Sequence, residues 1–193
     1  ALFVAPRLFV LFDEAYNLNV SKTLAENGIY ASHLEEGYRL FDPSVTTGPA
    51  LVVPLALALR LGGAAIATVR AVMVIIFIGC MLIAYLSARF LLGSPEAIVF
   101  LILFATTALV LAFGLCVLGD IPAISITLAA IALMDRGGKA QTMRRRWPFA
   151  GGLCLGLAIL TKDMMGLVLP ALVVAWGADV LQGKSLSRNR SLL

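Results

Sequence analysis

The sequence contains little charge and almost no histidine. Charged residues make up 13% of its 193 positions and hydrophobic residues 61%, whereas soluble domains have about 25% charged residues and 45–50% apolar ones. Charge this sparse excludes an ordinary water-soluble domain for most of the chain. The one histidine, His33, excludes a metal site built on a pair of histidines.

Cysteine is also scarce, and the three cysteines follow no metal-binding or redox spacing. Cys80, Cys116 and Cys154 all lie inside apolar runs, so buried packing is the expectation for them. We expect no metal and no cofactor. The chain shows no strand-like alternation, internal repeat or low-complexity segment.

Long uncharged runs are the main feature that is present. Residues 71–88 and 97–119 contain no charge, and only Arg70 interrupts the first run back to Gly62. About 20 apolar helical residues cross a bilayer, and a helix satisfies its own backbone groups in lipid. We therefore predict an all-α integral membrane protein, a multi-pass transmembrane helix bundle. Full spans are expected at 64–90 and 95–119, with shorter apolar segments at 50–59, 121–134, 149–160 and 164–178.

The only long polar stretch, residues 13–46, begins with a helix pattern. Tyr16, Val20 and Leu24 recur at helical spacing, and Gly28 ends the pattern. This predicts an interfacial amphipathic helix in the first outer loop. We expect 1–12 to be the end of a first membrane helix, 13–63 the outer loop, and 64–193 transmembrane helices. We therefore expect these segments to be part of one transmembrane module that is truncated at both ends.

Basic residues indicate which side of the membrane each loop occupies. Five of the fifteen lie between Arg136 and Arg146. Beside membrane spans, such a cluster favours a cytoplasmic loop over nucleic-acid binding. Because segment 50–59 is too short for a full crossing, Asp13 and Asp120 then share the outer side, with Lys162 near that side or within the membrane.

Three polar positions could carry chemistry, and each has a simpler alternative. Asp13 could cap the first helix, with Glu14 suiting its positive end, or act as a partly desolvated general base. Asp120 could be a loop residue or a carboxylate below the membrane surface. Lys162 could pair with the neighbouring Asp163 or bind a lipid phosphate.

A turn before the 50–59 segment is a fourth, weaker candidate. Thr47 and Gly48 could present backbone N–H groups to a ligand, or simply form a turn that caps a helix.

Four short motifs resemble the GT-C glycosyltransferases, and most closely the protein-O-mannosyltransferase and aminoarabinose-transferase-like group of bacterial membrane enzymes. They occur in the family's order and cover nearly the whole chain. The motifs are Asp13-Glu14-Ala-Tyr16-Asn-Leu-Asn, Phe41-Asp42-Pro43-x-x-Thr46-Thr47-Gly48-Pro49, Gly119-Asp120-Ile-Pro122 and Gly156-Leu-Ala-Ile-Leu-Thr161-Lys162.

The resemblance implies a multi-pass enzyme of the cell (inner or plasma) membrane. It would transfer a sugar from a polyprenyl phosphate to an acceptor hydroxyl on a lipid, glycan or protein, at the outer face of the bilayer. The resemblance makes Asp13 the general base, with Glu14 and Asp120 beside it. Pro43 replaces a lysine that contacts phosphate in the aminoarabinose transferases, so Arg39 or Lys162 would supply that contact. Asp163 replaces a glycine and would offset the charge of Lys162.

Two other classes of protein fit the composition. A transporter or lipid flippase would explain the polar break at 161–163 in an apolar stretch. A non-catalytic subunit of a membrane complex would need none of these side chains for chemistry.

Overall fold

The computed structural model of the protein describes residues 12–40, 47–139 and 146–181. Several predicted features lie outside these residues. They are the end of a first membrane helix at 1–11, the Pro43 motif at 41–46, residues 140–145 of the basic loop and the tail from 182 onwards.

The first helix, α1 (Phe12–Asn27), confirms the helix predicted at the start of the polar stretch. It ends at Gly28, which has a φ of 70° and donates its N–H to the oxygen of Leu24. The predicted apolar face is wrong. The buried residues of α1 are mostly polar. They are Glu14, Asn17, Val20, Ser21 and Thr23.

A β-hairpin follows α1, so the prediction of an entirely α-helical chain is wrong here. Strands β1 (Ala31–Leu34) and β2 (Gly37–Leu40) pair antiparallel, with Ser32 opposite Arg39. Across the strands, the rings of His33 and Tyr38 stack with centroids 4.7 Å apart. Each strand has only four residues, too few for an alternating pattern to stand out in the sequence.

The apolar runs form helices, and within the described ranges one of these helices is long and apolar enough to cross a membrane. Helix α2 (Pro49–Gly62) is short, as predicted, and α3 (Ile66–Leu92) confirms the first full span. The predicted span at 95–119 is not one straight helix. It is α4 (Ser94–Thr106) and α5 (Ala108–Leu115), bent by 69°.

Two threonines mark the bend between α4 and α5. Thr107 has an extended backbone (φ −64°, ψ 122°), and its hydroxyl donates to the oxygen of Leu103 at 2.8 Å. The hydroxyl of Thr106 donates to Ile102 at 2.7 Å. Threonine hydroxyls that bond back to the preceding turn tend to bend helices.

The last helices confirm the predicted break in the final apolar stretch. Helix α6 (Asp120–Lys139) packs against α7 (Arg146–Thr161). Helix α7 ends at the polar residues 161–163 that interrupt the apolar stretch. A 3-10 helix (Asp163–Leu167) leads into α8 (Val168–Leu181). Among the described residues, α3 and the bent α4–α5 pair are the candidate spans, so the multi-pass topology stays a prediction.

The apolar core lies on both sides of the connection between α5 and α6. One cluster joins α3, α5 and α6 around Phe77 and Ile121, and the other joins α2 and α3 around Leu55 and Met73. The outer face of α3 leaves large apolar side chains exposed, as a lipid-facing helix does. Ile75, Ile78 and Leu82 are examples.

Candidate functional site

Residues 116–119 connect α5 to α6, and α1 fixes this connection. The N–H of Val117 donates to Oε1 of Glu14 at 2.9 Å, and its carbonyl accepts from Nδ2 of Asn17 at 2.7 Å. Backbone groups outside helices must find partners when they are buried. The polar face of α1 supplies these partners and places the first turn of α1 beside the segment that leads into Asp120.

A buried ion pair anchors this arrangement to α3. The guanidinium of Arg70 binds both carboxylate oxygens of Glu14, with Nη2 and Oε2 3.1 Å apart, and both side chains are at most 2% exposed. Nη1 of Arg70 also donates to the oxygen of Leu115 at 3.2 Å. Such two-pronged, charge-assisted contacts are strong and directional. Glu14, predicted as catalytic, is thus placed in the interior rather than at an exposed site.

The turn at Thr47 and Gly48 is packed between α1 and the end of α7. Thr47 donates its N–H to Oδ1 of Asn17 at 3.2 Å, and Gly48 donates its N–H to the oxygen of Thr161 at 3.1 Å. Both groups, predicted as possible ligand donors, are therefore already occupied within the protein. A β-carbon on Gly48 would lie 1.7 Å from the oxygen of Leu160, which explains why only glycine fits.

Tyr30 contacts the same turn from the loop before β1. Its hydroxyl donates to the oxygen of Thr47 at 3.3 Å. Partial burial raises the pKa of Tyr30 to about 12, because the phenolate would lose hydration. The hydroxyl therefore keeps its proton as a donor throughout the neutral range.

Gly119, just before α6, brings a third segment into contact with the Thr47–Gly48 turn and the end of α7. A β-carbon there would lie 2.5 Å from Cγ2 of Thr47 and 3.0 Å from the oxygen of Thr161. The starts of α2 and α6 and the end of α7 thus meet around two glycines. Larger side chains at Gly48 or Gly119 would separate them.

Asp120 and Lys162 form an ion pair at this meeting point. Oδ1 of Asp120 lies 3.5 Å from Nζ of Lys162, and the two side chains are 33% and 29% exposed. A partly exposed pair adds little stability, but both charges remain accessible to a ligand. Of the alternatives considered for Lys162, pairing with the neighbouring Asp163 is not the one seen, since Asp163 accepts the N–H of Met164 at 2.8 Å and is exposed.

Asp13 and Arg39 occupy exposed positions. Asp13 lies in the first turn of α1, next to the buried Glu14. Arg39 lies on β2, where its main-chain oxygen accepts a bond from Ser32 at 3.4 Å. Within the described part of the chain, the contacts above unite Glu14, Thr47, Gly48, Asp120 and Lys162 and include neither Asp13 nor Arg39. No cluster of three or more possible metal ligands occurs among the described residues.

Two residues of this network were missed by the sequence analysis. Arg70 did carry a signal, because a charge inside an apolar helix is expensive and has a partner or a function. Asn17 lies inside the first of the four motifs, but an asparagine in a polar stretch is ordinary, and nothing in the sequence distinguished it from its neighbours. Glu14, the partner of Arg70, lies 56 positions away in the chain, and Val117, the partner of Asn17, lies 100 positions away.

Comparison with known protein families identifies the family of this chain. The family model of dolichyl-phosphate-mannose-protein mannosyltransferases matches residues 47–189, well over half of the sequence. The chain belongs to this family. The resemblance to GT-C glycosyltransferases is thereby confirmed. No curated protein and no solved structure gave a match.

Membership in the mannosyltransferase family makes the protein a membrane-embedded glycosyltransferase of the GT-C type. Asp120 and Lys162 fall inside the matched range, whereas Asp13 and Glu14 precede it.

Proposed function

We propose that this protein transfers a sugar from a polyprenyl-phosphate donor to an acceptor hydroxyl, with the Asp120–Lys162 pair at the centre of the site. The observation that carries the proposal is this pair, 3.5 Å apart and partly exposed. It sits on a scaffold of buried polar contacts from α1, α2, α3 and α7. A rigid scaffold around an accessible charge pair is what a site for a charged donor requires.

The reaction is an inverting displacement at the anomeric carbon. The acceptor oxygen forms a bond to that carbon, and the bond from the carbon to the phosphate oxygen breaks. The leaving polyprenyl phosphate takes the electron pair. The acceptor hydroxyl proton passes to a carboxylate of the enzyme. The family name specifies mannose and a dolichyl phosphate for its members, so a mannosyl donor is the first to test.

Lys162 is assigned to the phosphate. A cation beside the leaving group stabilises the negative charge that develops as the bond breaks, and a lysine provides a compact charge for phosphate. Donor binding would exchange the Asp120 contact of Lys162 for a phosphate oxygen. Arg39 could approach the same phosphate from the hairpin.

Asp13 is assigned as the general base. It is exposed in the first turn of α1, and the bond from Val117 to Glu14 holds that turn beside the segment leading to Asp120. Asp120 then orients the acceptor or donor hydroxyls. Glu14 is assigned to the scaffold, because its carboxylate is committed to Arg70 and Val117.

The site faces the outer side of a cell membrane that the chain crosses several times. This proposal rests on the basic residues between 136 and 146 as a cytoplasmic loop. Lipid, glycan and protein hydroxyls are all possible acceptors there.

The test is sugar transfer by the protein in its membrane, with a radiolabelled mannosyl polyprenyl phosphate. We expect Asp13→Asn to reduce turnover by about 10²–10⁴, the usual effect of losing a general base, while expression stays near normal. Because α1 already includes Phe12, Asp13 lies inside the first turn and not at the cap position considered from the sequence, so the change to Asn removes only a small favourable interaction with the helix dipole. If Asp13→Asn shows wild-type turnover, Asp13 is not the general base, and Asp120 becomes the candidate for that role.

Lys162→Met tests the phosphate contact, with Lys22→Met as the matched control. Lys22 is an exposed lysine on α1 whose partner is Glu26 at 3.8 Å. We expect Lys162→Met to impair donor binding and turnover and Lys22→Met to leave both unchanged. Equal activity of the two variants would remove Lys162 from the site.

A transporter or flippase is the second candidate, and the bend between α4 and α5 favours it. With the break after α7, the described residues contain two interrupted apolar segments, and paired interruptions are typical of transporters. Movement of a labelled polyprenyl phosphate across vesicles, without release of sugar to an acceptor, would support that candidate over the glycosyltransferase.

A further inference from the structure

Asn17 lies at the inner face of α1 and bridges two distant segments. It is 3% exposed. Its Oδ1 accepts the N–H of Thr47 at 3.2 Å, and its Nδ2 donates to the oxygen of Val117 at 2.7 Å. Because one partner is a donor and the other an acceptor, only one orientation of the amide satisfies both.

Each partner of Asn17 leads to one member of the exposed ion pair. Val117 lies three residues before Asp120. On the other side, Thr47 precedes Gly48, whose N–H donates to the oxygen of Thr161, next to Lys162. A single side chain therefore connects the segment carrying the carboxylate with the segment carrying the cation.

We propose that Asn17 is a positioning residue for sugar transfer, which holds Asp120 and Lys162 at the spacing that the reaction needs. This inference rests on the proposed function. Removing the amide would leave two buried backbone groups without partners, and the segments would shift to hydrate them. A displacement of about 1 Å at a reacting centre can reduce the rate about 100-fold.

Asn19 offers a matched control on the same helix. Its amide makes the same two kinds of contact, accepting the N–H of His33 at 2.7 Å and donating to the oxygen of His33 at 2.9 Å. These contacts hold the exposed β-hairpin rather than the ion pair. The two asparagines thus make the same kinds of bond, but those of Asn17 are buried and join the segments of the ion pair, whereas those of Asn19 are exposed and join the hairpin.

The experiment compares Asn17→Leu with Asn19→Leu by amide hydrogen exchange and by transfer kinetics. Asn17→Leu should speed exchange at Thr47 and Gly48 by roughly tenfold or more, as expected for losing a buried hydrogen bond. Asn19→Leu should affect only His33. In the transfer assay, Asn17→Leu should reduce kcat by about 100-fold with little change in KM for the donor. Asn19→Leu should retain the wild-type kcat.

Asn17→Asp keeps the inference testable if Asn17→Leu fails to fold. It retains an oxygen for Thr47 but presents a carboxylate to the carbonyl of Val117. We expect normal protection of the Thr47 amide together with reduced kcat.

Unchanged exchange at Thr47 and Gly48 in Asn17→Leu, or an equal loss of kcat in Asn19→Leu, would overturn the positioning role. If the wild-type protein transfers no sugar, the proposed function fails. The exchange data would still decide whether Asn17 holds the two segments together.

Discussion

Neutralising Glu14 tests whether the buried ion pair organises the interior of this protein. Glu14→Gln keeps the size of the side chain and an oxygen that can accept the N–H of Val117. It removes the negative charge from a site where Arg70 is 2% exposed and Glu14 fully buried. The guanidinium cannot release its proton, so the variant must either bury an unpaired cation or rearrange.

The structure sets the size of the effect. Breaking a buried pair by removing one partner destabilises a protein by about 3–5 kcal/mol. For a chain of this length that corresponds to a fall in Tm on the order of 10 °C. Removing both charges should be less harmful. In Glu14→Gln/Arg70→Met, the main deficit is the carbonyl of Leu115, which loses its donor and contributes a loss of about 1–3 kcal/mol.

Thermal unfolding of the purified protein measures these differences. Glu26→Gln is the matched control, since Glu26 is exposed on the same helix and pairs with exposed Lys22. We expect Glu14→Gln to be the least stable, the double variant intermediate, and Glu26→Gln close to wild type. Equal Tm values for Glu14→Gln and Glu26→Gln would refute the buried pair. A double variant less stable than Glu14→Gln would show that backbone contacts, not charge pairing, dominate there.

The remaining predictions concern packing, pH and orientation. Gly48→Ala should strongly reduce folded yield, because its β-carbon would overlap a main-chain oxygen of α7, whereas Gly156→Ala meets open space and should be tolerated; expression and Tm check both. Because the pKa of Tyr30 rises from 10.0 to about 12 on folding, the folded protein holds this proton more tightly. Its contribution to stability is therefore complete below about pH 10 and lost as the pH rises towards about 12, and Tyr30→Phe should remove that part of the decline in denaturation experiments. In a cysteine-free background, cysteines at positions 30 and 120 should react with impermeant reagents from outside and one at 140 only after permeabilisation; labelling of 30 and 140 from the same side would refute the topology.

The sequence by itself determined most of the helices and the class of protein. Local signals were sufficient for the helix before Gly28, the span of α3 and the break after Thr161, because hydropathy and helix-ending residues act within a few positions. The order of the motifs was sufficient for the family. The β-hairpin was missed because its strands are short, and the bend at Thr107 because no proline or glycine marks it.

Only the tertiary structure decided which polar residues belong to the interior and which remain accessible. Asp13 and Glu14 are adjacent carboxylates that were both predicted to be catalytic, with Asp13 as the base, yet one is exposed and the other buried against Arg70. From the sequence, the N–H groups of Thr47 and Gly48 could bind a ligand, but in the structure they donate to Asn17 and Thr161. The reason is physical: a buried polar group must be paired, and its partner can come from any segment that folding brings near. That partner, not the residue type, determines whether a side chain supports the site or acts in it.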